Sequence, residues 1–600
     1  MEKSNTSMII YRYLLLFFCY IFFLHQTFAQ TFYQQEFPKN YFRFPLDIPM
    51  SLAANFGECR TDHFHMGLDI RTNQKENYPV YAAAEGYISK IYINKSGFGR
   101  AIYIRHPNGY TTLYAHLNTF YPALQQYVEK KQYADQQWEQ DFTLNPNQFP
   151  VHKGELIAYS GNTGSSEGPH LHFEIRETKT DVNINPMEFI NVPDNITPTI
   201  SHVAWYDRTV RTYEQQPSFI KIKKTPEGYT SVDSVIEIPT TAVSFGIIAD
   251  DKSNTSSFQY GIYEANLQVD GNTLSQFKLD RISYDNSRYI NACIDYSYKM
   301  QTGKYIQHLS RLSGNHLPFY FSTLKNDGVF NVTGDSIHQV VITIADFNGN
   351  SKTLRFKIKK VLITRYKTIY NSNWFNLFPN RSKNIDYYDA RIYFPENTLY
   401  DTLNLAVDKL APYNINNLSY KYSIGSEFIP LHSNITIQLK PNKTLSNFEK
   451  SKTIIQYTNS KSKEALKPIW TKDRAEINYN KLGNFQLLLD TTPPRITIKG
   501  ITDSSNVSST KQIIITANDS EGSVQYFNAV LDNKWLMFSR KGNNFVYTLD
   551  ERCPPGYHTI TCSIEDIAGN VSAKTISFFR DDEAVKKRGK ESKNKKIKKK

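Results

Sequence analysis

The sequence predicts a mostly-β protein divided into several domains, and three observations carry that reading. The chain has 600 residues, too many for one hydrophobic core, so roughly three to five domains are expected. Runs rich in Ile, Tyr, Val, Thr and Phe recur along it, broken by Asn, Gly, Pro and Asp, which is the pattern of strands and turns. Helix signals are few, and a composition of 40 % hydrophobic and 14 % aromatic residues is ample for packed cores.

The first element is a targeting segment. Lys3 and Arg12 precede a compact apolar run, YLLLFFCYIFFL (Tyr13 to Leu24), with small residues at Thr27 and Ala29. This reads as a secretory signal over residues 1–29, cleaved after Ala29. The apolar run falls short of the roughly 20 residues a spanning helix needs. No later stretch is apolar enough, so no stable membrane span is expected after cleavage, and the mature protein is expected in the periplasm or outside the cell. Four cysteines remain, Cys59, Cys293, Cys553 and Cys562, too sparse for a disulfide-dependent scaffold. Cys553 and Cys562 are close enough in sequence to pair, but spacing alone does not decide it.

Residues 30–192 form a first block that ends near Pro193 and Pro198, where Asn185-Pro186 could start a short final helix. It holds His63, His65, His106, His116, His152, His170 and His172, half of the 14 histidines in the chain. In HMGLD, His65 and Asp69 are four residues apart. That spacing faces one way on a helix, but Gly67 and the following IRTN argue against a helix. On a strand, residues i, i+2 and i+4 share a face, with Gly67 between them leaving room for an ion. In HLH, His170 and His172 likewise share a strand face. Side by side, two such strands place imidazoles and a carboxylate around one point. These are suitable zinc donors, and three protein ligands with one open position is the catalytic rather than the closed structural arrangement. The HExxH helix signature is absent. Each piece alone is weak, since an HxH pair is more often an ordinary surface strand. His63 reads as a bystander, His106 and His152 as structural residues, and Cys59 as a small apolar filler.

The order of the pieces is more specific. NFGECRTDHFHMGLDI, PVYAAAEGYISKI, HPNGYTTLYAHL, KGELIAYSGNTGSSEGPHLHFEIR and a final NP follow one another over about residues 41–192. This series resembles the lysostaphin/LytM-type zinc metallopeptidases, which cut peptide cross-links in bacterial peptidoglycan. The resemblance implies that His65, Asp69 and His172 bind Zn2+, and that His116 and His170 form the catalytic pair. It implies a zinc endopeptidase acting on wall peptides. A non-catalytic wall-binding or hydrolase-activating protein on the same fold is the alternative, and a peptidase acting on free proteins is a third. All five family positions are intact, which favours the enzyme. One departure stands out: an insertion at about residues 121–150, readable as a lid, a substrate-selecting wall or a plug.

A weak repeat organises the remainder. DNITPTI begins at Asp194 and DTTPPRI at Asp490, and each leads to a matching phrase, ADFNGNS and EDIAGNVS. Asp346, Gly349 and Asn350 keep the spacing of Asp566, Gly569 and Asn570, as tight turns between alternating runs. The pattern resembles bacterial immunoglobulin-like sandwiches, expected over residues 194–360, with insertions, and 490–580. Residues 361–489 are β-type sequence with no recognisable kind. All three read as spacers and packing partners for the first block, with binding to wall polymer or to a partner protein as the alternative. The net charge of +13 is uneven: residues 581–600 hold ten Lys/Arg against four Asp/Glu. The segment reads as a disordered, solvated tail, or more sharply as a tether to an anionic envelope polymer. No nucleic-acid motif is present.

Overall fold

The structure is a computed structural model, and it describes residues 37–321, 327–362, 374–411, 417–508, 510–522 and 524–581. The expected signal segment and all of the basic tail after Asp581 lie outside the described residues. Strands dominate throughout, as expected. Among the described residues no helix is long and apolar enough to cross a membrane.

The first block contributes β1 (Leu52–Ala54), β2 (Leu68–Arg71), β3 (Pro79–Tyr81), β4 (Gly86–Ile93), β5 (Arg100–Arg105), β6 (Tyr110–Ala115) and β7 (Leu117–Phe120). Helix α1 (Pro122–Asp135) follows, then β8 (Gln140–Thr143), β9 (Pro150–Val151), β10 (Leu156–Ser160), β11 (His170–Glu177) and β12 (Asn183–Ile184). The main sheet runs β1-β2-β11-β6-β5-β4-β8 with antiparallel neighbours, and β3-β10-β7 form a second, small sheet. β11 lies at the centre, between β2 and β6. Six of its eight positions are buried, and Leu171, Phe173 and Ile175 are fully buried on one face. Asn185 and Pro186 open a single 3-10 turn, Pro186–Glu188, in which the Asn185 side chain accepts from Met187 N.

The insertion extends the sheet and reaches a distant module. Pro122 starts α1, where a missing N–H costs nothing, and Leu124, Val128 and Gln132 bury one stripe of it. β8 then adds to the β4 edge. The Tyr133 ring stands 5.2 Å from Trp535, and the Arg552 guanidinium lies 4.1 Å over it.

Three two-sheet modules follow. Residues 199–360 form sheets around one core, residues 374–489 around a second, and residues 495–580 around a third. The first of these is continuous with the first block. Strand Arg281–Ile282 pairs with β12 and so joins the main sheet. Phe56, Phe64 and Met66 of the first block are buried in one cluster with Leu279, Ile290 and Phe319. The four described cysteines are unbridged, so Cys553 and Cys562 do not pair.

Candidate active site

Backbone register brings the histidine and aspartate of the sequence motifs together. In the β2–β11 pairing His172 lies opposite Asp69, and in the β11–β6 pairing it lies opposite Ala115, one residue before His116. His116 sits between β6 and β7 with φ +59°, a left-handed conformation uncommon for a residue with a Cβ. That turn frees its side chain from the alternation of either strand. Its ring centroid comes to 4.7 Å from that of His170 and 5.9 Å from that of His172.

His65 arrives differently from the expectation. It is not on a strand with Asp69; it lies in the loop before β2, just after Phe64 bridges to Cys59. Gly67 does not make room for an ion either. A Cβ there would lie 2.4 Å from the Phe173 carbonyl oxygen, so glycine is needed for β11 to approach the loop.

Three donor atoms then form a nearly equilateral triangle. His65 Nε2 is 3.0 Å from Asp69 Oδ1, His172 Nδ1 is 2.9 Å from the same oxygen, and the two nitrogens are 3.1 Å apart. Tetrahedral ligands at zinc bond lengths of about 2.0–2.1 Å stand about 3.3 Å from one another. The proton positions make the case stronger. His65 Nδ1 lies 2.6 Å from the Asn55 carbonyl oxygen and His172 Nε2 lies 2.9 Å from Glu174 Oε1. Both partners only accept, so those nitrogens carry the protons. In the neutral rings the inward nitrogens are bare lone pairs, turned toward each other and toward a carboxylate. Three acceptors facing one another need a cation, and this donor set of two imidazoles and a carboxylate fits zinc.

The electrostatics follow from the same contacts. Burial pushes the Asp69 carboxyl up, but His65, His170 and His172 outweigh it and hold it well below the usual carboxylate range. Burial also lowers His172, yet the bonds from Asp69 and Glu174 win and raise it to about 9. Burial, with the neighbouring His170 and His172 rings, pushes His116 down to about 3. His116 Nδ1 is 2.8 Å from the Thr163 carbonyl and His170 Nδ1 is 2.8 Å from the Gly168 carbonyl. Each ring is therefore locked in the tautomer with a basic Nε2, and that of His170 lies 3.3 Å from Asp69 Oδ1. The glycine-rich turn supplies both carbonyls. Its Gly164, at φ +72°, passes so close to Gly97 and Gly99 that a Cβ would lie 2.3 Å from backbone atoms.

Several supporting residues were not singled out in the sequence. Glu174, with no solvent exposure, holds His172 on one oxygen, while Arg176 Nε and Asn183 Nδ2 each donate to the other at 2.7 Å. Burial raises its carboxyl, but Arg176 and His172 more than compensate and hold it at about 2. This carboxylate–histidine pair fixes tautomer and ring orientation, a common arrangement behind metal-bound histidines. The Tyr284 hydroxyl, from the following module, donates to Glu174 Oε1 at 2.5 Å. Asn55, whose carbonyl anchors His65, is clamped through its amide to both backbone groups of Gly261. Arg60 Nη2 reaches Asp69 Oδ2 at 3.2 Å. The histidines read as bland are so: His63 is exposed beside Asp62, His152 is exposed, and His106 is buried between the Glu85 carbonyl and Thr112. Cys59 packs against the shared core, and burial pushes its thiol up, away from reactivity.

Comparison with known proteins falls on the same segment. Residues 63–134 and 140–186 match the model of peptidase family M23. The chain carries an M23-family peptidase domain. The M23 domain contains all five motif residues, and a second match, residues 376–490, is to a Zu5-like domain, which describes the module that the sequence left without a kind. The DD-carboxypeptidase/endopeptidase Mpg of Neisseria meningitidis is 37 % identical over 123 residues, 20 % of this chain and 22 % of that protein. An uncharacterized metalloprotease of Haemophilus influenzae is 31 % identical over 151 residues, 24 % of this chain and 26 % of that one. The peptidoglycan DD-endopeptidase ShyA of Vibrio cholerae is 29 % identical over 139 residues, 22 % of this chain and 26 % of that protein. The chain thus spans about a quarter of the length of the curated relatives it matches.

Proposed function

We propose that the protein is a zinc endopeptidase that hydrolyses peptide cross-links of bacterial peptidoglycan. The observation that carries this reading is the inward-facing triangle of His65 Nε2, Asp69 Oδ1 and His172 Nδ1, with the His116 and His170 rings beside it. These three side chains would hold the ion. The chemistry a bound zinc supplies is Lewis acidity, which polarises a carbonyl and brings the pKa of water to about 7. The rest belongs to the chain. His116 and His170, each anchored through Nδ1, present Nε2 atoms that can take the proton of the attacking water and return it to the leaving amine. In protonated form either can donate to the oxyanion that develops on the scissile carbonyl. Glu174 keeps His172 Nδ1 free of a proton, and Asn55 does the same for His65 Nε2.

The names of the similar Neisseria and Vibrio proteins favour a D,D-type cross-link as the bond cut. Such a substrate lies outside the cytoplasm, which agrees with the signal segment read over residues 1–29. The test is digestion of purified peptidoglycan by the zinc-loaded mature chain, with released fragments identified by mass spectrometry beside a free-protein substrate. Cross-linked fragments should disappear, and chelation or His172→Ala should abolish the effect. A zinc-loaded chain that leaves cross-links intact, or that cuts free proteins instead, overturns the assignment.

A further inference from the structure

The repeat that organises the C-terminal sequence has a counterpart in space. Asp194, Asp251 and Asp346 bring one carboxylate oxygen each to within 4.8 Å of one another, and so do Asp490, Asp519 and Asp566. The two clusters are built alike. Asp194 and Asp490 enter their modules just ahead of the Thr-Pro steps, and Asp346 and Asp566 open the turns that end in Asn350 and Asn570. Asn350 donates its backbone N–H and its amide to Asp346 and reaches the Asp194 carbonyl. Asn570 makes the same bonds to Asp566 and to the Asp490 carbonyl. Asp251 and Asp519 supply the third carboxylate from IADDKS and TANDSE, a correspondence hidden between the two quoted phrases.

Each cluster also contains a buried oxygen with nothing to bind. Asp251 is 4 % exposed and its Oδ1 has no hydrogen-bond partner among the described residues. Asp490 is 2 % exposed and its Oδ2 is equally orphaned, as is Oδ2 of Asp519. Among the described residues no Lys, Arg or His forms an ion pair with any of the six; Lys452 Nζ, near the second cluster, bonds the Gly569 carbonyl. Asp194, Asp251 and Asp346 line one small cavity with Ser253, Tyr260 and Asn55. Three carboxylates this close repel strongly, and a buried carboxylate oxygen left unpaired is costly. The orphaned atoms make the clusters more than a patch of acidic surface.

We propose that these are two equivalent sites for a hard divalent cation of the calcium type, one at the entrance of each module. All-oxygen donors suit calcium rather than zinc or copper. Its bonds of about 2.3–2.6 Å let donors on opposite sides of the ion stand about 4.6–5.2 Å apart, and it takes carbonyls and water to complete six to eight ligands. Each ion would tie three separate segments: the chain entering the module, an interior strand end and the turn between the last two strands. The role is to brace the junction, in the first case between the M23 domain and the module packed against it.

The test is calorimetric titration of the full, zinc-loaded chain with calcium chloride, then with magnesium chloride. The wild type should bind two calcium ions per chain, with magnesium weaker. Asp251→Asn and Asp490→Asn replace only the unpaired oxygens and keep the bonds the other oxygens make. Each should bind a single calcium ion, and the double variant none. Melting temperature gives a second readout. Calcium should raise it for the wild type and raise it less for each single variant. If the clusters hold no cation, calcium leaves the melt unchanged and the neutral variants melt higher than the wild type, because repulsion is relieved. That result, absence of calcium binding at millimolar concentration, or a stoichiometry unaltered by the variants overturns the proposal.

Discussion

The sharpest test of the metal centre is Glu174→Gln. The substitution keeps size and shape and removes one buried charge. Glu174 accepts on both oxygens: from His172 Nε2 and Tyr284 on one, from Arg176 and Asn183 on the other. A glutamine cannot accept on both sides. If its oxygen faces Arg176 and Asn183, its NH2 faces His172 Nε2, which must then become the acceptor. The ring proton moves to Nδ1, into the site that should receive the ion. If its oxygen faces His172, the Arg176 guanidinium loses a buried partner and keeps only the exposed Asp181. The first orientation costs metal, and loss of such a partner behind a ligand typically weakens binding about 10- to 100-fold, or about 1.4–2.7 kcal/mol. The second costs stability, about 3–5 kcal/mol for a broken buried pair. Zinc affinity would be measured by competition with a chromophoric chelator, and stability by melting the metal-free protein. A variant with wild-type zinc affinity and a wild-type melt would refute the assignment of tautomers and, with it, the lone-pair triangle.

His170→Ala should retain zinc and lose about 10²- to 10⁴-fold in kcat, as expected for a proton-transfer group, whereas His172→Ala should lose both; zinc content beside turnover separates them. Gly67→Ala puts a methyl group against the Phe173 carbonyl, so thermal melting should show a loss of about 1–3 kcal/mol, the usual cost of overpacking. His106 is buried and its imidazole is pushed down to about 4 by burial. The unfolded chain therefore binds more protons between about pH 6.5 and 4, so stability is complete above that window and falls through it, by about 3 kcal/mol in all. Urea denaturation at a series of pH values should show that slope, and His106→Gln should flatten it.

The ligand triad and the two histidines beside it were legible because their pieces are short and carry rare residue types: HMGLD, YAHL and HLH each sit at one point of the chain. The mostly-β class was legible from alternation and turn residues. Geometry was less so. His65 belongs to a loop, and period-2 reasoning over His65 and Asp69 assumed a strand that begins only at Leu68. Glu174 and Arg176 were within reach, since HLHFEIR places His170, His172, Glu174 and Arg176 on one face of a single strand, but a Glu and an Arg two apart on a strand read equally as a solvated face. Tyr284 and Gly261 carried no local signal. They act on the site from more than a hundred residues beyond Glu174 and more than two hundred beyond Asn55 in sequence, and only tertiary packing brings them there. The third aspartate of each repeat, Asp251 and Asp519, was overlooked because the two repeats have very different lengths.

Phe56, Phe64 and Met66 flank the histidine that leads into β2, yet they are buried in one cluster with residues of the following module. At about 1.5–3 kcal/mol for each large apolar side chain buried, uncovering three forfeits about 5–9 kcal/mol, as much as many whole domains possess. A fragment trimmed to the matched segment would therefore be a poor stand-in for the whole chain. It would present a greasy flank prone to self-association, and its ligand loop would have lost the floor it rests on. For this chain the downstream neighbour is structural masonry, the wall against which the loop carrying His65 is built.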